Sequence, residues 1–187
     1  MSQETLSTAA AIGTFIVIAA TAIAAVVQLR HLRASNQLQG LLNVLARAED
    51  TKFNEWIDGA RRILAENMPD LSYRRRIEDG TFDRTDNPWL NLANSYEWMG
   101  SLIRQGLIAE EPFMDVHGAR VTRSWQLLEE IIAIRRRRQG PSTWENFEYL
   151  FMRAGLYVSR HPRGVYPKTT PRAKINDKWL AADAAAS

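Results

Sequence analysis

The hydrophobic pattern of the chain begins with one long apolar run, and amphipathic segments follow it. Residues 5–29 form 25 consecutive positions without a charge, between Glu4 and Arg30. As a helix rising about 1.5 Å per residue, this run would extend roughly 37 Å, more than the roughly 30 Å hydrocarbon core of a bilayer. A helix also satisfies its backbone hydrogen bonds internally, as that core demands. The pattern therefore predicts a transmembrane helix over residues 5–29, after a short segment of residues 1–4.

Two other interpretations of residues 5–29 stay open from the sequence. A cleaved signal peptide has a basic segment before its apolar run and small residues at the cleavage site. Ala22-Ile23-Ala24 offers such a site, but residues 1–4 contain no Lys or Arg. A buried helix of a globular domain is the second alternative, although such helices rarely extend this far without a charge. The preferred interpretation is a retained anchor, with membrane lipid as the partner of residues 5–29.

Positive charge follows the apolar run directly. Arg30, His31 and Arg33 lie within four positions of its end, whereas no Lys or Arg precedes it. Because basic residues concentrate on the cytoplasmic side of membrane spans, this asymmetry predicts that the residues after the span lie in the cytoplasm. We expect Arg30 and Arg33 to contact anionic lipid or an acidic partner.

The pattern after the span predicts α-helices and no strand. Apolar residues recur at helical spacing, and no run alternates as a strand would. The predicted helices cover residues 34–66, about 88–106, about 112–138 and about 142–158. Residues 71–84 are polar and form a connection with one short helical turn. The predicted fold class is all-α, with one transmembrane helix, a cytoplasmic domain of about four packed helices over residues 30–160, and an extended or flexible tail over residues 161–187, where prolines and glycines concentrate.

Local signals mark the ends of these helices. Met68-Pro69-Asp70 ends the first, since the residue before a proline avoids the α region. Asp86 or Asn87 caps the second, which opens on a proline in the favoured first position. Ser142 and Glu145 have the spacing of a capping box at the start of the fourth. The residues that the third helix is expected to bury are Phe113, Val116, Val121, Trp125, Leu128, Ile131 and Ile132.

Composition excludes several kinds of chemistry. The 187 residues include no cysteine and three histidines, which excludes disulfides, thiolate nucleophiles, iron–sulfur ligation and cysteine zinc sites. The chain contains no phosphate-binding glycine loop, dinucleotide fingerprint, metalloprotease motif or hydrolase motif, and no Glu-x-x-His pair of a di-iron bundle. Asp115 and His117 would point about 200° apart on a helix, too far for one shared metal. We therefore predict neither a cofactor nor a metal.

Two acidic residues, Glu97 and Glu148, each follow an aromatic residue that we expect to be buried. Beside apolar side chains a carboxylate can acquire a raised pKa and transfer protons. The alternative is an internal ion pair, with Arg104, Arg123 or Arg135, that fixes how the helices pack. Because no histidine, nucleophile or cofactor motif accompanies these carboxylates, we favour the structural role.

The net charge of +3 arises from 24 Lys and Arg against 21 Asp and Glu, and every basic residue follows the apolar run. A run of four arginines ends the third predicted helix: Arg135, Arg136, Arg137 and Arg138. Cations at a helix C-terminus interact favourably with the helix dipole. Below a membrane, such a run also suits contact with anionic lipid or an acidic protein, and a solvated surface is the third interpretation. Nucleic-acid binding is not expected, because no recognised motif accompanies the charge.

Three stretches of the chain resemble the central signature of domain-of-unknown-function family 4760. They are residues 94–108 (Asn-Ser-Tyr-Glu-Trp-Met-Gly-Ser-Leu-Ile-Arg-Gln-Gly-Leu-Ile), the positions Trp125, Ile131, Arg135 and Arg136, and residues 144–150 (Trp-Glu-Asn-Phe-Glu-Tyr-Leu). The resemblance covers about residues 6–155 and implies a bacterial protein with an N-terminal transmembrane helix before a helical cytoplasmic domain. It implies no activity and gives no residue a catalytic role. The full arginine run and the tail are less typical of the family.

The sequence as a whole favours a single-pass inner-membrane protein that acts as an anchored interaction or accessory module, with no catalytic chemistry visible. One alternative is a membrane-associated enzyme or effector with an unrecognised carboxylate–arginine site. Another is a homo-oligomeric scaffold, because Ala9/Gly13 and Ala20/Ala24 have the small-xxx-small spacing that lets two spans approach closely.

Overall fold

A computed structural model describes residues 3–49, 51–85, 87–179 and 184. Every regular element among these residues is an α-helix, and the all-α prediction is confirmed. The helices are α1 (Gln3–Glu49), α2 (Thr51–Asn67), α3 (Leu71–Asp79), α4 (Pro88–Arg104), α5 (Glu110–Gln139) and α6 (Glu145–Arg160). The helices α2, α4, α5 and α6 surround one core, and α3 packs against α5.

α1 is a continuous helix of 47 residues. Among the described residues it is the one helix long and apolar enough to cross a membrane, with Ile12–Val44 as the candidate span. Its large apolar side chains, such as Phe15 and Ile23, lie exposed rather than packed against the domain. Between residues 12 and 32, the large apolar side chains of α1 therefore have no cover from the described residues of the chain.

The last turns of α1 pack against the loop between α4 and α5. The side-chain amide of Gln37 donates a hydrogen bond to the carbonyl oxygen of Gly106 at 2.9 Å. One turn later Gly40 lies against Ile108, and Val44 is completely buried. The apolar helix and the domain are thus joined by packing as well as by the chain.

Aromatic rings connect the helices of the core. Tyr96 of α4 meets Phe53 of α2 edge to face, with ring centroids 5.4 Å apart, and stacks on Phe147 of α6 at 4.6 Å. Trp125 of α5 meets Phe147 at 5.2 Å, and the Ser124 hydroxyl donates to the Tyr96 oxygen at 3.1 Å. Burial raises the pKa of Tyr96 to about 12, so this phenol stays protonated far above neutral pH. One aromatic cluster therefore joins all four helices.

The structure explains how the chain turns between α2 and α4. The single helical turn expected within residues 71–84 is a nine-residue helix, α3. The Asp70 side chain caps its first turn, and Gly80 ends it with a left-handed φ of 77°, which glycine adopts without a Cβ penalty. Asn87 caps α4 as predicted, whereas the other predicted cap, Asp86, lies outside the described residues.

Residues 34–49 and 51–66 of the helix predicted over residues 34–66 are all helical, in α1 and α2, and residue 50 between them lies outside the described residues. One prediction about the buried face of α5 is wrong. Val116 is 57% exposed, because Phe113 and His117 occupy the buried positions of that part of α5. The other six residues that the third helix was expected to bury are all buried.

The described part of the tail, residues 161–179, contains turns and extended chain but no helix or strand. Its larger apolar side chains are exposed, including Ile175 and Trp179. One internal contact is the hydrogen bond that the Tyr166 hydroxyl donates to the carbonyl oxygen of Pro171 at 3.1 Å. The tail therefore follows its own course outside the core.

α4 and α6 come closest at Gly100. A Cβ atom at this position would overlap the carbonyl group of Asn146, and backbone cannot move aside as a flexible side chain can. Gly155 on α6 is the opposite case, because a Cβ there would meet open space. Glycine is thus required at the first position and not at the second.

We expect Gly100→Ala to lower the free energy of unfolding by about 1–3 kcal/mol, because the added methyl group forces α6 away from α4. Gly155→Ala, the matched control, should raise it by about 0.5–1 kcal/mol through the lower entropy of the unfolded chain. Denaturant unfolding of the two variants, followed by circular dichroism, checks both signs. Equal effects of the two substitutions would contradict the close approach at Gly100.

Candidate functional site

Glu97 lies on α4 and faces the first turn of α6. Its carboxylate accepts hydrogen bonds from the backbone N–H groups of Asn146 and Phe147, both at 3.0 Å. It also accepts a bond from the side-chain amide of Asn146 at 2.6 Å. Amide donors therefore hold this carboxylate, in place of the arginine partner that the sequence led us to expect.

The chemical role of Glu97 follows from these three bonds. The first N–H groups of a helix have no partner within it, and the positive end of the helix dipole favours a negative charge there. Glu97 supplies both an acceptor and a charge from a neighbouring helix. This arrangement stabilises the packing of α4 against α6 and leaves the carboxylate oxygens occupied.

Neighbouring side chains of α4 extend the same contact. The side-chain oxygen of Asn94 accepts a hydrogen bond from the indole N–H of Trp144 at 3.0 Å. One turn beyond Gly100, the Arg104 guanidinium lies 3.5 Å from the Glu145 carboxylate. The 94–108 signature thus contains a row of residues, Asn94, Glu97 and Arg104, that contacts the start of α6.

The capping box predicted from Ser142 and Glu145 is wrong. α6 begins at Glu145 itself, no side chain of the preceding loop caps it, and Trp144 has a left-handed φ of 53°. The acceptor for the free N–H groups comes from Glu97, nearly fifty residues earlier in the chain. Local spacing could not reveal an acceptor that tertiary packing supplies.

Arg135, the first residue of the arginine run, is only 5% exposed. Its guanidinium donates to the carbonyl oxygen of Ile77 at 2.8 Å and lies over the ring of Phe82, 5.4 Å from the centroid. Burial lowers the pKa of Arg135, and the charge of Arg84 lowers it further. This side chain joins α5 to the end of α3 and is not available to an outside partner.

The other three arginines of the run also have partners within the chain. Arg136 lies 2.7 Å from the carboxylate of Glu148, and its Nε donates to the carbonyl oxygen of Thr143 at 3.0 Å. Salt bridges join Arg137 to Glu78 and Arg138 to Asp79, both on α3. The run therefore binds α5 to α3 and α6. Glu148 forms an ion pair as predicted, but its partner is Arg136 and not one of the three arginines considered from the sequence.

The start of the tail lies beside the start of α5. Glu110 of α5 lies 2.6 Å from Arg153 and 3.8 Å from Arg160, both on α6. His161, the first tail residue, lies 3.7 Å from the Glu111 carboxylate. Since Ile108, just before α5, contacts α1, the tail begins near the junction of α1 and the domain.

The tail carries a second concentration of positive charge. Residues 161–179 contain five Lys or Arg and one Asp. Aromatic residues lie among the cations: the guanidinium of Arg172 lies 4.5 Å from the ring centroid of Tyr166, and the Lys178 amine 5.1 Å from that of Trp179. The basic residues of the tail are spread between prolines and do not form a consecutive run like Arg135–Arg138.

The described residues show no cluster of metal-ligating side chains. In the part of the chain that the structure describes, no group of three His, Asp or Glu side chains lies close enough to hold a metal ion. Arg30 and Arg33, the predicted contact residues beside the span, are exposed on α1.

We expect Glu97→Gln to lower the melting temperature by about 3–6 °C, because the loss of the negative charge removes about 1–2 kcal/mol of stabilisation at the start of α6. Glu148→Gln, the matched control, breaks a half-exposed ion pair and should cost less than about 1 kcal/mol. Thermal unfolding in detergent compares the two. A larger loss for Glu148→Gln would contradict the role assigned to Glu97.

Comparison with known proteins identifies a family. Residues 15–154 match the model of a family described as Domain of unknown function (DUF4760). No curated protein matches the chain significantly, and no solved structure does. The match covers most of the 187 residues and includes both the α4 row around Glu97 and the first turn of α6. The chain therefore belongs to the DUF4760 family.

Proposed function

We propose that this protein is a single-pass inner-membrane protein whose helical domain lies in the cytoplasm and acts as an anchored interaction module. The observation that carries the proposal is α1, whose apolar half is exposed and whose last turns pack on the domain. Exposed apolar side chains over this length are costly in water, and a bilayer core would cover them. Arg30, His31 and Arg33 after the apolar run favour the cytoplasmic orientation.

Contact with anionic lipid is the second part of the proposal. Arg30 and Arg33 follow the apolar run directly, and their long side chains suit the headgroup region. The tail supplies five further cations with Tyr166, Ile175 and Trp179 between them, and amphipathic aromatic residues favour the membrane interface. Basic residues near an anionic surface contribute roughly 1 kcal/mol each.

Distances within the chain support lipid contact by the tail. From Arg30 to Gly40 the helix rises roughly 15 Å, and Gly40 contacts the loop that precedes α5. The tail begins beside the first residues of α5, and its 19 described residues could extend roughly 60 Å. Arg135–Arg138 are less suited, because one is buried and three already pair within the chain.

Single-cysteine variants test the anchor and its orientation, because the chain has no cysteine of its own. A maleimide that cannot cross the inner membrane should label Gln3→Cys in intact cells and leave Ser159→Cys unlabelled until the cells are opened. The protein should also stay in the membrane pellet at alkaline pH. The reverse labelling pattern would contradict the orientation, and release into the supernatant would contradict the span.

A fluorescent probe tests the tail. We expect an environment-sensitive dye on Ile175→Cys to shift to the blue when the full chain is reconstituted in vesicles that contain phosphatidylglycerol, and not in neutral vesicles. Changing Arg172, Lys174 and Lys178 together to Gln should weaken this association roughly a hundredfold.

The control for this measurement carries the same dye on Arg137→Cys, which lies on the opposite end of α5 from the start of the tail. Its emission should be the same in both kinds of vesicle. A blue shift of the Ile175 probe in neutral vesicles, or one that survives the triple Gln substitution, would show that cationic attraction to anionic lipid is not the cause.

A further inference from the structure

α2 and α5 leave a groove between them on the surface of the domain. Two adjoining cavities of about 220 and 340 Å³ form it, and both are lined by Arg61 and Leu127. Leu64 and Ile131 contribute apolar walls. Arg123 lines one cavity, and Glu129 and Glu130 line the other. The groove therefore has apolar walls and carries charges of opposite sign on its α5 side.

The exposed side of α5 beside this groove has a symmetrical order of residues. Its central exposed positions recur at helical spacing: Ala119, Arg123, Gln126, Glu130 and Ala133. With Gln126 as the centre, a small residue lies seven positions away on each side. Arg123 lies three positions before it, and Glu129 and Glu130 lie three and four positions after it. If a second copy of this face is placed antiparallel to the first, basic residues of one copy therefore lie opposite acidic residues of the other.

These charges differ from the others on α5 in how they are used. Glu110 at the start of the helix and Arg136, Arg137 and Arg138 at its end make salt bridges within the chain. Within the described residues, by contrast, Arg123, Glu129 and Glu130 take part in no salt bridge. The Nε of Arg123 donates to the carbonyl oxygen of Ala119 in its own helix at 3.3 Å, and its charge is not neutralised by an acidic side chain of the described residues. These opposite charges are therefore available for contact with another molecule.

We propose that a second copy of this chain docks on this face, with the two α5 helices antiparallel about a two-fold axis at Gln126. In a two-fold interface each residue of one surface meets its counterpart on the other, and the residue on the axis meets itself. Arg123 of each copy then lies opposite Glu129 or Glu130 of the other, and Ala119 lies opposite Ala133. Small residues at these outer positions let the helices approach closely.

Charge complementarity decides between a second copy and an unrelated helix. An unrelated partner could meet either charge, but only a reversed copy of the same face is guaranteed to place acid opposite base at both ends. Exposed ion pairs are weak individually. Confinement to one membrane raises the effective concentration of the two chains, so a small interface suffices.

Disulfide cross-linking in native membranes tests the geometry, since every cysteine is one that we introduce. Gln126→Cys should form a covalent dimer under mild oxidation, because the axis brings its two copies together. Ala133→Cys should not cross-link with itself: its two copies would be roughly 21 Å apart along the helices, beyond the reach of a disulfide. Co-expressed Ala119→Cys and Ala133→Cys chains should cross-link with each other.

Charge reversal tests the attraction. In the Gln126→Cys background, Arg123→Glu should lower the cross-linked fraction about fivefold or more, because each symmetric contact becomes a like-charge repulsion. The pair of changes Glu129→Arg and Glu130→Arg should do the same. All three changes together restore the opposite charges and should restore the cross-link.

Several outcomes would overturn the second copy as the occupant. They are efficient self-cross-linking of Ala133→Cys, failure of the triple charge reversal to restore the dimer, and cross-linking of Gln126→Cys to a protein of a different mass. Absence of any cross-link would do so too. This inference goes beyond the anchor and lipid contact, and the maleimide labelling of Gln3→Cys and Ser159→Cys reports the anchor separately.

Discussion

The carboxylate of Glu97 accepts hydrogen bonds from the first free N–H groups of α6, and the placement of α6 in the domain depends on that contact. It fixes α6 on α4 where Gly100 permits close approach. Once α6 is placed there, Phe147 stacks on Tyr96 and Glu148 meets Arg136. Through Arg136 and its neighbours in the chain, the position of α6 is linked to that of α3 at the end of α5.

Positive charge in this protein has two distinct uses. Where arginines are consecutive, at Arg135–Arg138, the structure gives them internal acceptors, and they hold helices together. Where cations are dispersed, in residues 161–179, they lie among exposed aromatic residues outside the core. A dense run of basic residues in a sequence is therefore not always available to an outside partner, because acidic side chains of neighbouring helices can pair with it.

Sequence periodicity predicted the all-α class and most of the buried face of α5, because burial repeats with the helical turn. It did not reveal how the helices meet. The partner of Glu97 lies nearly fifty residues away in the chain. Residue 100 must be glycine because the backbone of Asn146 occupies the space that a side chain would need. Ser142 and Glu145 had the spacing of a capping box, yet an acceptor from α4 took that role. The order of charged residues around Gln126 can be read from the sequence. Only the structure shows that these residues lie on the exposed side of α5.

The unbroken course of α1 has a mechanical consequence. This helix contains no proline, the usual cause of a sharp bend, and Gln37 fastens its last turns to the loop beside Gly106. A helix longer than the bilayer is thick responds by tilting. In the proposed arrangement, a change in bilayer thickness would change the tilt of α1, and the domain joined to its last turns would rotate with it. The orientation of the domain relative to the membrane surface would then depend on the thickness of the bilayer.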